Sequence, residues 1–241
     1  MRLIFVVIVA LFFLPIGLAA QGVIRKHDQF LNLTGGFGSS QGLVAASYNY
    51  NWRFGKKSRL EAGLGLRFTS YIGRNKYYRT APAKLTSGKT GLGVLFSDDI
   101  NENIDTVFFN KPQVNFLNAA INLGYNFNSK FSAGFNIDFI GFSFGAEKIG
   151  TYYDGNNVNP PTAKPTAFNL LLTSDNDKGS LNSELFAKYK FNQHWAVNGA
   201  FGFLFTEYTT TTNIQTTPNG QTNDRFRNKA TTGNVGISYN F

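Results

Sequence analysis

The 241 residues hold only two histidines and no cysteine. Thiol nucleophiles, disulfides, thiolate metal sites and a lipid-bearing N-terminal cysteine are therefore all excluded. His27 lies in a short N-terminal segment and His194 in the turn-like stretch Asn192-Gln193-His194, where a solvated ring is the simplest role. No phosphate-cradling glycine loop or zinc-ligand spacing occurs. Asp175-Asn176-Asp177-Lys178-Gly179 begins like a calcium loop. It lacks the fifth-position oxygen ligand and the distant Glu that such a loop needs, so it reads as a turn. Asp98, Asp99, Glu102 and Asp105 form an acidic patch inside a long polar stretch, as a solvated loop would. The expectation is that no residue serves catalysis, a cofactor or a metal.

Six other charged residues stand in a different setting. Glu61, Arg67, Asp138, Glu184, Lys188 and Lys190 interrupt segments in which apolar side chains alternate with small or polar ones. Leu60, Ala62, Leu64, Leu66 and Phe68 alternate with Glu61, Gly63, Gly65, Arg67 and Thr69. The same period of two returns at Leu117 to Phe127, Leu181 to Phe191, Trp195 to Phe205 and Lys229 to Phe241, which means strands with one apolar face. Eight strands are expected, at about 29–38, 43–54, 59–72, 113–127, 131–144, 180–191, 195–208 and 227–241. Most are longer than the ~5–6 residues usual in soluble proteins and match the ~9–11 residues of a tilted membrane-crossing strand.

The connections separate into two kinds. Gly55-Lys56-Lys57-Ser58, Asn128-Ser129-Lys130 and Asn192-Gln193-His194 are tight. The segments 73–112, 145–179 and 209–226 are long and polar, and Ser39 to Gly42 is one short link on their side. Tight turns at one end and long loops at the other describe a membrane barrel with both termini on the tight-turn side. Such a sheet must close on itself, because an open edge would leave backbone groups unpaired in lipid. Charged residues are only 15% of the chain, against 25 Phe and 11 Tyr, whereas a soluble domain carries roughly 25% charge. The polar face is mostly Gly, Ala, Ser, Thr and Asn, which suits the crowded interior of a narrow barrel rather than a water-facing exterior. The six charges above then point inward, and Arg67, Asp138, Glu184, Lys188 and Glu61 are expected to form a lumen ion cluster. Trp52, Phe54, Phe127, Phe131, Phe191 and Trp195 bracket the tight turns and form an expected aromatic girdle at that interface.

Residues Met1 to Ala20 carry Arg2, an apolar run from Leu3 to Leu14, a Pro-Gly break and small residues at Ala19 and Ala20. That pattern is a signal peptide over 1–20, with the barrel domain over 21–241. The apolar run is too short to span a bilayer as a helix. The net charge is +9, but Lys and Arg are scattered over turns and loops without a nucleic-acid-binding motif, so no nucleic-acid partner is expected.

The last strand ends Asn234-Val235-Gly236-Ile237-Ser238-Tyr239-Asn240-Phe241, with Phe241, Tyr239 and Ile237 on alternate positions. It resembles the C-terminal assembly signal of outer-membrane proteins. With tight hairpins such as Tyr125-Asn126-Phe127-Asn128-Ser129-Lys130-Phe131, the mature chain resembles the small, porin-like, eight-stranded bacterial outer-membrane β-barrel domain family. The resemblance implies residence in the bacterial outer membrane, insertion by the barrel-assembly machinery, and contact with outer-membrane lipid and lipopolysaccharide. It implies no single activity. The expected role is non-enzymatic, in surface interaction or envelope integrity through the extracellular loops; a narrow channel for small or hydrophobic solutes is the alternative. Lipid-modifying barrel enzymes use a rim histidine, and neither histidine here is expected at that rim.

Overall fold

The computed structural model describes residues 27–153 and 160–241; the expected signal peptide, 1–20, lies outside the described residues. Eight long antiparallel strands follow one another: β1 (His27–Gly38), β2 (Gln41–Phe54), β3 (Leu60–Gly73), β4 (Gln113–Asn126), β5 (Phe131–Phe144), β6 (Leu181–Lys190), β7 (Trp195–Thr210) and β8 (Arg225–Asn240). Each begins and ends within two residues of its expected position. Every strand pairs with its sequence neighbours, and β8 returns to β1 through Phe30↔Asn240 to Phe37↔Gly233. The result is a closed up-and-down barrel with no free edge.

Strand alternation sorts the side chains sharply. Leu60, Leu64, Leu66, Phe68 and Ile72 of β3 face outward and are exposed, while Arg67, Thr69 and Tyr71 are buried inside. From Leu60 to Ile72 the outward row rises about 30 Å, taking ~3.3 Å per residue and a tilt near 40°. That is enough to cross the apolar band of an outer-membrane barrel, which is about 25 Å tall. Trp52, Phe54, Phe127, Phe131, Phe191 and Trp195 are all exposed and lie at the tight-turn end. Edge-on contacts tie several aromatics of this end together, among them Trp195 with Tyr239 at 5.0 Å and Tyr239 with Phe241 at 5.5 Å. One irregularity matters: the register shifts between Ala119 and Ala120, so that Ala119 faces Ile140 and Ala120 faces Asp138. The extra residue, Phe139, is a β-bulge that swaps the faces of β5 above it.

The long connections differ from expectation. Read as polar loops, they instead build a second wall above the barrel. Strand Lys76–Thr80 pairs with the top of β8 and with Thr106–Phe109. Thr106–Phe108 pairs with Thr151–Tyr153, Lys148–Ile149 pairs with Thr162–Ala163, and Ala163–Pro165 pairs with the top of β7. Because β7 and β8 pair with each other up to Thr209↔Arg225, these segments close a smaller ring over the lumen. Its interior is apolar: Tyr78, Val107, Phe109, Tyr152, Ala163, Tyr208 and Phe226 pack onto Tyr71, Val114, Phe116 and Leu204 below. Gly150 breaks the 148–153 segment where a Cβ would come within 2.7 Å of Val107 Cγ1, so the core reaches the backbone there. The cap has a hydrophobic core because its strands, too, alternate: Tyr77 and Tyr153 face out, Tyr78 and Tyr152 in.

Candidate functional site

Three polar clusters and the apolar cap determine what can pass through or dock on this protein. The first cluster is at mid-lumen. Arg67, on β3, donates from Nε to Asp138 Oδ1 at 2.9 Å and from Nη1 to Glu184 Oε2 at 3.1 Å. It also donates to Asn136 Oδ1 and to the Asn182 carbonyl. Arg67, Asp138 and Glu184 are nearly inaccessible to solvent. Each acid has further donors: Asn118 Nδ2 and the Asn182 N–H on Asp138, and Asn136 Nδ2 and Asn234 Nδ2 on Glu184. Two carboxylates share one guanidinium, whose fixed fork suits such double pairing.

Lys188 and Glu61 do not join that cluster, contrary to expectation. The Lys188 ammonium sits over the Phe30 ring, 3.6 Å from its centroid, where the face of the ring attracts a cation. Glu61 accepts from Arg53 Nε at 3.2 Å and Asn126 Nδ2 at 2.6 Å. Arg53 also pairs with Asp28, which lies 3.8 Å from Lys190 Nζ. Arg53, Asp28, Glu61 and Lys190 thus form a second cluster at the tight-turn mouth. Strand parity fixes the face of a residue but not its height, and tilt separates residues that look level along the sequence. Between the two clusters remains a cavity of about 20 Å³, lined by Asn49, Asn122, Arg67, Phe186, Lys188 and Phe30 among others. That is room for a water or two.

Above the Arg67 cluster the lumen is filled by aromatic rings. Tyr78, Phe109 and Tyr208 pack ring against ring, with centroids 4.7 to 5.3 Å apart. Their polar ends are satisfied: Tyr78 Oη hydrogen-bonds Thr206 Oγ1 at 2.9 Å, and Tyr208 Oη donates to the Gln113 carbonyl at 2.9 Å. Burial holds the Tyr78 phenol well above its ordinary pKa, since an ionised phenolate has no solvation there.

A third cluster escaped sequence reading. Glu207, wholly buried, receives Arg225 Nε at 2.8 Å and Arg227 Nη2 at 2.8 Å. The turn Ser174–Asn176 folds against it from outside, Asp175 reaching Lys229 Nζ at 2.6 Å and Arg227 Nη1 at 3.7 Å. Asp177 accepts from the Leu172 N–H at 2.6 Å, and burial raises its pKa. The stretch that faintly suggested a calcium loop is a mooring. A signal did exist: Glu207, Arg225, Arg227 and Lys229 hold the lipid-facing parity of β7 and β8, which only makes sense where those strands have left the membrane.

The remaining candidates are peripheral. His27 stacks on Tyr50 at 5.4 Å, and His194 stacks on Tyr239 with Nδ1 3.0 Å from the Asn240 carbonyl oxygen. Both sit at the tight-turn end. Asp98, Asp99 and Glu102 are exposed, while Asp105 accepts the Tyr152 hydroxyl. Phe241 donates its N–H to Gln29 O at 3.0 Å, and Ile237 faces outward on the same strand. Among the described residues no group of His, Asp and Glu is placed to hold a metal ion.

No family model and no curated protein sequence matches the chain. Solved structures do. The attachment invasion locus protein Ail of Yersinia pestis is 7% identical, with 90% of this chain and 100% of that one aligned at a TM-score of 0.36. A major outer membrane protein from Thermus thermophilus is 12% identical, over 89% and 99% of the two chains, at 0.39. The Escherichia coli outer membrane protease OmpT is 11% identical, over 89% and 94%, at 0.33. The fold is that of a small outer-membrane β-barrel. It rests on the closed strand pairing and the apolar outer belt described above.

Proposed function

We propose that this protein is exported behind a signal peptide ending at Ala20, resides in the bacterial outer membrane, and works through its extracellular cap. Its role is surface interaction or envelope integrity, without a reaction of its own. The observation that carries this reading is the sealed lumen. A buried Arg67–Asp138–Glu184 cluster and an aromatic core stand one above the other, and the cavity beside Arg67 has room for a water or two. A channel needs a continuous polar path, and a strongly packed apolar core in that path opposes the alternative of small-solute permeation. Most of the structure beyond the membrane has instead gone into a folded cap, which suits a surface meant to be recognised. Planar-bilayer recording of the refolded protein tests this directly. The reading expects no stepwise conductance in molar salt; steady single-channel steps would favour the permeation alternative.

A further inference from the structure

A lobe on the outside of the barrel, rather than the barrel wall alone, points to a second contact with the membrane. The 3-10 segment Gly91–Phe96 carries Leu92, Leu95 and Phe96, all exposed, Phe96 at 91%. Only Val94 of this segment turns inward. Large apolar side chains this exposed are otherwise concentrated on the lipid-facing wall. A soluble face would not hold three of them on one short turn without a partner.

The position of the lobe identifies that partner. Asn176 Nδ2 donates to the Gly91 carbonyl at 3.2 Å, joining the lobe to the turn Ser174–Asn176. That turn is moored to the outer wall by Asp175, on Lys229 and Arg227. Lys229 pairs across the sheet with Phe205, and two residues lower Phe203 is on the lipid belt, paired with Thr231. Phe205 stands about 25 Å above the girdle residue Trp195 along the barrel axis, at ~3.3 Å per residue and a tilt near 40°. An outer-membrane barrel's apolar band is itself about 25 Å tall. The mooring therefore places the turn at the upper edge of the hydrocarbon. Leu172, exposed on the chain entering that turn, continues the outward row of Phe168 and Leu170, so the lobe is continuous with the lipid-facing surface.

We infer that Leu92, Leu95 and Phe96 seat in the outer leaflet, making the 91–96 turn an interfacial anchor that clamps the cap to the membrane beside β7 and β8. The charges next to it divide accordingly. Asp98, Asp99 and Glu102 follow on an exposed stretch, with Asp99 Oδ2 3.7 Å from Arg79 Nη2 in the cap. The carboxylate nearest the wall, Asp175, is neutralised by Lys229 and Arg227 before it meets lipid. The barrel grips the hydrocarbon through its wall; the lobe adds apolar area at one side, as interfacial apolar side chains do.

This inference rests on the membrane reading of the outer wall, and the experiment separates the two. The chain has no cysteine, so single spin labels can be placed at Phe96→Cys, at Phe203→Cys as the lipid reference and at Lys89→Cys as the water reference. Each protein is refolded in phosphatidylcholine vesicles, and collisions with oxygen and with a water-soluble nickel chelate are compared. The expected oxygen-to-nickel ratio at Phe96→Cys lies between the two references and several-fold above Lys89→Cys. A ratio equal to that at Lys89→Cys, with Phe203→Cys still lipid-exposed, overturns the anchor and leaves the barrel intact. So does spin–spin coupling between molecules at Phe96→Cys, which would identify a second copy as the occupant. Water exposure at Phe203→Cys itself would overturn the membrane reading. Replacing Asp175 with Asn in the Phe96→Cys protein should lower the ratio toward water, because the ion pairs to Lys229 and Arg227 that hold the turn to the wall are lost.

Discussion

Replacing Arg67 by Met removes the bridging cation from a site that keeps two acids. Met fills much of the volume, so the loss is electrostatic rather than a cavity. Asp138 keeps Asn118 and the Asn182 N–H, and Glu184 keeps Asn136 and Asn234, but neutral donors do not replace a guanidinium. Stranding a partner of a buried pair costs about 3–5 kcal/mol. With a urea slope of roughly 2 kcal/mol per molar, the unfolding midpoint should fall by about 2 M. The natural Trp52 and Trp195 report it, since both stand in the girdle and change surroundings on unfolding. Adding Asp138→Asn and Glu184→Gln should restore most of the loss, because no uncompensated charge is then left buried. The lumen should stay closed in both variants, since the aromatic core above is untouched. A cost under about 1 kcal/mol for the single variant, or no recovery in the triple, would refute the claim that Arg67 compensates both acids.

Phe109→Ala should cost the cap about 3–5 kcal/mol, as truncating a fully packed aromatic does; protease should then cut within 76–109 while the barrel keeps its heat-modifiable mobility on gels. Gly179 has φ +77°, and a Cβ there would stand 2.1 Å from Asn169 Oδ1 and 2.5 Å from the Phe168 carbonyl. Gly179→Ala should therefore loosen the mooring, seen as faster tryptic cleavage at Lys178. Phe241→Ser should lower the fraction inserted in the outer membrane, measured by fractionation and heat-modifiability, with no loss if the terminal aromatic has no part in assembly. N-terminal sequencing of the membrane fraction should start within a residue of Gln21, and an intact Met1 would show that no cleavage occurs.

The barrel was legible because its two constraints, closure and a lipid-facing row, leave a period of two over every strand. The alternation from Leu60 to Phe68 puts Arg67 on the face opposite the leucines, and the small, little-charged make-up of that face is what assigns it to the interior. The height of inward residues was not legible. Lys188 and Glu61 share that face with Arg67, yet tilt puts them near Phe30 and Arg53. The cap was missed because short strands such as Thr106–Phe109 offer too few residues for a period to show. Hints were present in the inward positions at the strand tops: Val114, Phe116, Leu204 and Phe226 are apolar where a wet lumen would carry polar groups. The Glu207 mooring shows the same limit from the charged side. Parity placed it toward lipid, and only the fold of 171–179 over it makes the position tenable.

The central claim is an outer-membrane barrel that presents a folded cap to the outside of the cell. Single cysteines at Lys89→Cys and Asn219→Cys in the cap, and at Lys57→Cys and Ser129→Cys in the tight turns, test it most directly. All four positions are exposed in the protein, so only the membrane decides which of them a bulky impermeant maleimide reaches on intact cells. The account predicts labelling at 89 and 219, with 57 and 129 reacting only after the outer membrane is broken. Labelling at 57 and 129 in intact cells, with 89 and 219 silent, would contradict it.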